Sequence, residues 1–151
     1  VLYSDIIPPV PIYVRTSGLP PEGTRVIGPV VVATTLPLNA TYSNGSSGVG
    51  ATLTNAGAQV ALSIDGVALA VNDRVLIKDQ AFELQNGCYQ VTNIGSGATN
   101  WVLTRTTNYD ESYQVAVGDL FTVTSGTFNS GLTFKQESLV SVIGTSDITF
   151  E

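Results

Sequence analysis

The chain has 151 residues, 43% of them hydrophobic and only 12% charged, with a formal net charge of -6 and no histidine. That length suits one domain, which at this size buries roughly 68–70% of its unfolded surface. The acidic balance excludes a nucleic-acid footprint, which needs clustered basic residues. The six basic residues (Arg15, Arg25, Arg74, Lys78, Arg105, Lys135) are also too scattered for a polybasic membrane patch.

Few charges among many Thr, Ser, Asn and Gly residues imply a neutral, hydroxyl-rich surface, as expected where much surface meets other subunits. A single cysteine, Cys88, rules out a disulfide-stapled secreted design. Val1 to Pro11 lacks the basic n-region of a signal peptide. The apolar run Val30 to Ala33 is far too short for membrane insertion. The lack of Met fits an initiator removed before Val1, and fits equally a piece of a longer chain.

Six of the seven prolines (Pro8, Pro9, Pro11, Pro20, Pro21, Pro29) fall in the first 29 residues. Proline fixes φ and removes a donor, so this stretch is neither helix nor central strand. It nonetheless carries Leu2, Tyr3, Ile6, Ile7, Val10, Ile12, Tyr13 and Val14, apolar surface that is costly to leave in water. The expectation is an extended N-terminal arm, residues 1–29, lying across its own domain or, preferably, a neighbouring subunit. Segments already ordered by proline lose less entropy on docking.

Residues 30–151 read as one β-domain. Val30 to Thr35 is β-branched and proline-free. Leu38 to Tyr42 begins a second extended piece before the turn run Ser43 to Gly48. Val49 to Thr54 alternates again. From Leu53 to Ile64 the apolar spacing also fits a helical face, which Asn55, Gly57 and the β-branched neighbours oppose. Ala61 to Leu69 forms a hairpin about Asp65-Gly66.

Val67 to Val91 is the organising unit: a strand, an Asn72-Asp73 corner, a strand over Arg74 to Lys78, a loop, an Asn86-Gly87 turn and a strand over Cys88 to Val91. Val75 and Ile77 face one side, with Arg74, Leu76 and Lys78 on the other. Trp101 to Thr107 is a further strand with Trp101, Leu103 and Arg105 on one face. The polar loop Asn108 to Gln114 follows it. Val115 to Val123 contains a Gly118-Asp119 corner, Leu132 to Glu137 pairs back, and Leu139 to Phe150 closes the chain. Leu69 to Val75 and Val115 to Phe121 echo each other around the two corners, through reused turn chemistry or as facing halves of one barrel or sandwich. The fold class is all-β, a single antiparallel sandwich or barrel-like domain bearing the arm.

No catalytic, cofactor or metal site emerges. Without histidine there is no His-based triad or zinc-histidine site, and Cys88 has no histidine to activate it. Most aspartates sit beside turns, where they bond local backbone, and no calcium-loop spacing occurs. Asp73-Arg74 and Lys78-Asp79 read as exposed ion pairs. One binding reading remains. Trp101, Tyr109 and Tyr113 flank a polar loop with Asp110, and Tyr109, Asp110 and Tyr113 are candidate contacts to a host glycan, with Trp101 assigned to the core.

The segments Val32-Ala33-Thr34-Thr35, Leu38 to Gly57 (LNATYSNGSSGVGATLTNAG), Ile64-Asp65-Gly66-Val67, Asp73 to Gln80 (DRVLIKDQ), Gln85 to Asn93 (QNGCYQVTN) and Asn100 to Arg105 (NWVLTR) together resemble a β-rich structural domain of tailed-bacteriophage virion proteins. The resemblance runs from Val30 to Glu151 and departs at the arm, Cys88 and Phe82. It implies a non-enzymatic virion component, assembled in the host cytoplasm, whose partners are other virion subunits and copies of itself. Two roles stay open. A capsid decoration (cement) subunit fits the short chain and apolar arm, whereas a tail-fibre or receptor-binding module touching host glycans fits the family pattern.

Overall fold

Period-two alternation in the central strands sends side chains to opposite faces, and here both faces are buried. The computed structural model describes residues 24–151. Its strands are β1 (Val26–Val30), β2 (Val32–Ala33), β3 (Ala40–Ser43), β4 (Thr52–Asn55), β5 (Ser63–Ile64), β6 (Val67–Ala68), β7 (Arg74–Ile77), β8 (Gly87–Asn93), β9 (Val102–Arg105), β10 (Leu120–Val123) and β11 (Thr133–Lys135). Two short 3-10 turns, Glu83–Gln85 and Ser112–Gln114, are the only helical pieces among the described residues. The class is all-β, as the alternation predicts.

Three sheets form: a six-stranded sheet ordered β2-β7-β8-β9-β4-β3, a three-stranded sheet ordered β11-β10-β1, and the β5-β6 hairpin. Most ladders are antiparallel, but β2 lies parallel to β7 and β1 parallel to β10, so the expectation of a purely antiparallel fold is corrected. The cause is one stretch of chain. Val26 to Ala33 pairs with β10 through its first half and with β7 through its second, changing sheets at Val31. There Val31 N–H donates to the Arg74 carbonyl at 2.7 Å while its own carbonyl accepts from Ser125.

Two clusters make the core. Val32, Val75, Ile77, Tyr89, Val91, Leu53 and Leu103 meet Leu62, Ile64, Leu69 and Trp101 on one face of the large sheet. Ala33, Leu76 and Cys88 on its other face pack with Val30, Phe121 and Val123 of the small sheet and with Tyr109, Val140, Ile143 and Ile148 from loops. Tyr109, Phe121 and Phe150 stack edge to face, at 5.0 and 5.6 Å between centroids, an arrangement favoured by the ring quadrupole.

The echo between the two corners is reproduced bond for bond. Ala70 N–H donates to the Asp73 carboxylate and Ala116 N–H to that of Asp119, each at 2.8 Å. Asp73 N–H returns to the Ala70 carbonyl and Asp119 N–H to that of Ala116, each at 3.1 Å. Asn72 and Gly118 occupy the left-handed region, φ 78° and 96°, which asparagine and glycine tolerate best. Each corner then leads into a strand flanked by a parallel neighbour and an antiparallel one.

Several boundaries differ from the pattern reading. Val26–Val30 is a paired strand, so the first four residues of β1 belong to the β-domain. Pro29 is accommodated because β1 lies at the edge of its sheet among the described residues. Leu53 to Ile64 is most of strand β4, irregular chain and then strand β5, not a helix. The Asp65-Gly66 hairpin forms with both residues in the left-handed region. The Asn86-Gly87 pair is not a two-residue turn, since the whole of residues 78–86 joins β7 to β8. Residues 139–147 are irregular chain with a turn at residues 143–145, and the chain end returns to Lys135, Gln136 and Glu137 through Glu151, Phe150 and Thr149.

Candidate functional site

The point where the arm sequence joins the domain is tied down by charge. Arg25, just before β1, donates from Nε and Nη2 to the Asp119 carboxylate at 2.8 and 2.7 Å, and also to the Gln114 carbonyl. Asp119 is buried, and it further accepts from the Tyr109 hydroxyl at 3.0 Å and from Ala116 N–H. A buried carboxylate holding four donors is well compensated. The hydrogen bond to Asp119 raises the Arg25 pKa, against a smaller opposing effect of burial. Burial, then the Asp119 charge, pushes the Tyr109 hydroxyl far above its ordinary value, so it stays a donor. Arg25 and Asp119 lie 94 positions apart, and no local signal in the sequence pairs them.

Beside this anchor, the loops after β3, β7, β9 and β11 interlock. Asn44 Nδ2 donates to the Ile143 carbonyl at 3.1 Å, and Ile148 N–H donates to Glu83. Asn86 Nδ2 reaches the Ile148 carbonyl at 3.0 Å. Gly48 packs directly against the Asp110 carbonyl and the Ile143 side chain. The Ser112–Gln114 turn is closed by a reciprocal bond pair between Glu111 and Gln114. These loops leave six large apolar side chains in solvent, Val49, Phe82, Tyr113, Val117, Leu139 and Val142, with Phe82, Tyr113 and Leu139 exposed by 69%, 76% and 82%. Exposed large apolar side chains also occur elsewhere on the described residues, Leu36 and Phe128 among them.

The three glycan candidates do not share that exposure. Tyr109 is in the core with its hydroxyl engaged by Asp119, which corrects its placement on the loop exterior. Asp110 is also buried, and burial followed by the Glu111 charge raises its carboxyl pKa. Only Tyr113 is exposed, its hydroxyl donating to Glu111 at 3.1 Å. Trp101 is buried with Leu103, as assigned from the sequence. The eight arm candidates, Leu2 to Val14, lie outside the described residues.

Arg105 is the side chain whose importance the sequence understates. It is buried, it donates from Nη1 to Asn86 O at 2.8 Å and from Nη2 to Leu84 O at 3.0 Å, and it touches the Tyr42 hydroxyl at 3.2 Å. Its guanidinium lies 5.0 Å from the Tyr89 ring centroid and 5.7 Å from that of Tyr42. Gly87 leaves room for it, since a side chain there would collide with Nη1. No carboxylate pairs with Arg105 among the described residues. Its carbonyl partners make it a clamp holding the Glu83–Gln85 turn to the sheet. The available signal was a basic residue at a core-facing position, in step with Trp101 and Leu103.

Nothing in the described residues gathers reactive groups. No cluster of His, Cys, Asp and Glu with metal-binding geometry occurs among them. Cys88 is fully buried, burial raises its thiol pKa, and Arg74 Nη2 sits 3.3 Å from its sulfur. That bond takes Arg74 away from Asp73, so the expected Asp73-Arg74 ion pair is absent, whereas Lys78-Asp79 forms at 3.2 Å. Among the described residues, one cleft of about 170 Å³ lies beside Thr34 to Leu38 and Ser63 to Asp65, and another of about 210 Å³ beside Pro29 to Val31 and Asn72 to Arg74. Two polar side chains of the first are committed: Asp65 accepts from the Phe128 and Asn129 amides, and Thr34 donates to Asp79. Comparison of the chain with protein-family models, curated proteins and solved structures returned no match.

Proposed function

We propose that the chain is a non-enzymatic structural subunit of a tailed-bacteriophage virion, a capsid decoration (cement) protein. In this reading residues 24–151 form one sandwich-like scaffold, and the Pro-rich arm preceding β1 clamps neighbouring subunits. The observation that carries it is the Arg25–Asp119 anchor. A pull on the arm reaches a buried carboxylate bonded to the core residue Tyr109 and to a corner of β10. A clamp needs such a root, because an unanchored tail would peel β1 from the sheet edge.

Of the three glycan candidates, only the exposed Tyr113 remains available to the tail-fibre alternative, with Tyr109 and Asp110 buried. Deleting residues 1–23 tests the proposal. The shortened protein should keep its β-rich circular dichroism and cooperative unfolding but no longer join the particle. Unchanged particle binding would reject the clamp. Glycan-array or cell binding by the intact protein that Tyr113→Ala abolishes would favour the fibre reading instead.

A further inference from the structure

We infer that the open edge of β3 pairs with the same edge of a second copy of this chain, antiparallel about a two-fold axis at Thr41, so that the two large sheets join into one. The inference uses neither the N-terminal arm nor the virion reading.

β3 is the last strand of the six-stranded sheet among the described residues. Ala56 N–H donates to the Asn39 carbonyl at 3.0 Å, and Thr41 and Ser43 stand opposite Thr54 and Thr52. Bonded and non-bonded pairs alternate along an antiparallel ladder. Asn39, Thr41 and Ser43 therefore turn their backbone groups toward β4, while Ala40 and Tyr42 turn theirs outward. No other described residue bonds those outward N–H and C=O groups. Sheet edges are ordinarily blunted by proline, charge, brevity or covering chain, and the other edges here are. β1 carries Pro29, and β2, β5 and β6 are two residues long. Lys135 of β11 exchanges both backbone bonds with Glu151. β3 has none of these devices, and the sequence Asn39-Ala40-Thr41-Tyr42-Ser43-Asn44 is uncharged.

A second copy is the partner that this edge fits. The chain has a net charge of -6, yet no charged residue occurs from Val26 to Ile64 or from Leu84 to Thr104. β3, β4, β8 and all of β9 except the buried Arg105 belong to those stretches. Two copies can meet there without the repulsion that their net charge imposes elsewhere, and a strongly charged partner finds no counter-charge. The register also complements itself. With Thr41 opposite its own copy, each Ala40 exchanges its outward backbone bonds with Tyr42 of the other chain. On the core side the small Ala40 then lies opposite the large Tyr42, and on the exposed side the two Thr41 hydroxyls form a cross-strand pair. Tyr42 is already held in place. Its hydroxyl donates to Asn44 Oδ1 at 2.6 Å and accepts from Arg105 Nη2 at 3.2 Å. Pairing thus orders little that is not ordered already. The arrangement is closed and uses each edge once.

The test uses the full chain. Sedimentation up to hundred-micromolar concentrations should show a monomer–dimer equilibrium. T41K sets two like charges at the axis, at an exposed position, and should weaken the dimer at least ~10-fold with the thermal midpoint unchanged. In this register the two positions 41 lie about 4.5 Å apart between Cα atoms, within the span of a disulfide, whereas the two positions 43 lie about 13 Å apart. T41C should therefore form a covalent dimer under mild oxidation at least ~10-fold faster than S43C. The native chain, whose Cys88 is buried, should form none. A monomer at every concentration overturns the inference, whether residues 1–23 or nothing covers the edge. A dimer that T41K leaves intact, or equal cross-linking at positions 41 and 43, overturns it as well. Self-association of the purified protein is read without any particle, so its failure and the failure of the virion role are distinguishable.

Discussion

The two equivalent corners provide an internal control for how burial sets the worth of one bond pattern. Asp119→Ala and Asp73→Ala remove the same carboxylate from the same turn, but the surroundings differ. Loss of Asp119 strands the buried Tyr109 hydroxyl, at about 1–3 kcal/mol, and the Ala116 N–H, at about 0.5–1.5 kcal/mol. The Arg25 side chain is 46% exposed and returns to water, so its pairing adds no more than about 1 kcal/mol. Together these amount to about 1.5–5.5 kcal/mol, centred near about 3. Loss of the half-buried Asp73 strands only Ala70 N–H, at about 0.5–1 kcal/mol. Urea unfolding followed by fluorescence and circular dichroism should put the Asp119→Ala midpoint about 1–2 M below wild type and that of Asp73→Ala within about 0.5 M of it, at equal slope. Equal losses at the two corners would refute the reasoning, since the corner geometry itself, not the buried network, would then carry the stability.

Three further outcomes are expected. Tyr89 and Tyr109 have folded pKa values raised above 10, mainly by burial, so the stability they confer is complete below pH 10 and declines as pH rises beyond it. Each contributes a slope approaching about 1.4 kcal/mol per pH unit. Buried Cys88 starts the decline near pH 9, and a Tyr109→Phe variant should show a shallower alkaline slope in urea melts between pH 8 and 11. Arg105→Lys removes the fork that serves two carbonyls at once and should cost about 2–4 kcal/mol, read as a lowered thermal midpoint with earlier proteolysis in residues 78–86. Asp110→Asn removes a charge whose pKa is raised by burial, so it should stabilise the protein at pH 7, a gain that fades as the pH falls through the raised folded value and is gone below about 4.

The sequence made the strands legible where alternation met β-branched residues. Val75 and Ile77 against Leu76, and Tyr89 and Val91 against Cys88, fall on the faces that period two assigns. The Asp65-Gly66 hairpin was legible through turn chemistry, and the corner echo through the repeated Ala-Val-x-Asp. The parallel ladders were not, because nothing local marks Val26 to Ala33 as a strand shared by two sheets. Pro29 pointed away from strand, since a proline rule cannot distinguish an edge from a centre before the sheet order is known. At the site, Tyr113 and Phe82 were visible only as aromatics in polar loops. Tyr109 looked equally exposed, and only the distant Asp119 draws it into the core.

The central claim is that this chain is a structural part of a phage head. Immuno-electron microscopy of purified virions, with antibody raised against folded residues 24–151, tests it most directly. The account predicts many symmetrically spaced labels over the capsid, lost when residues 1–23 are deleted from the gene. Label restricted to the tail, or absent from intact particles, would contradict it.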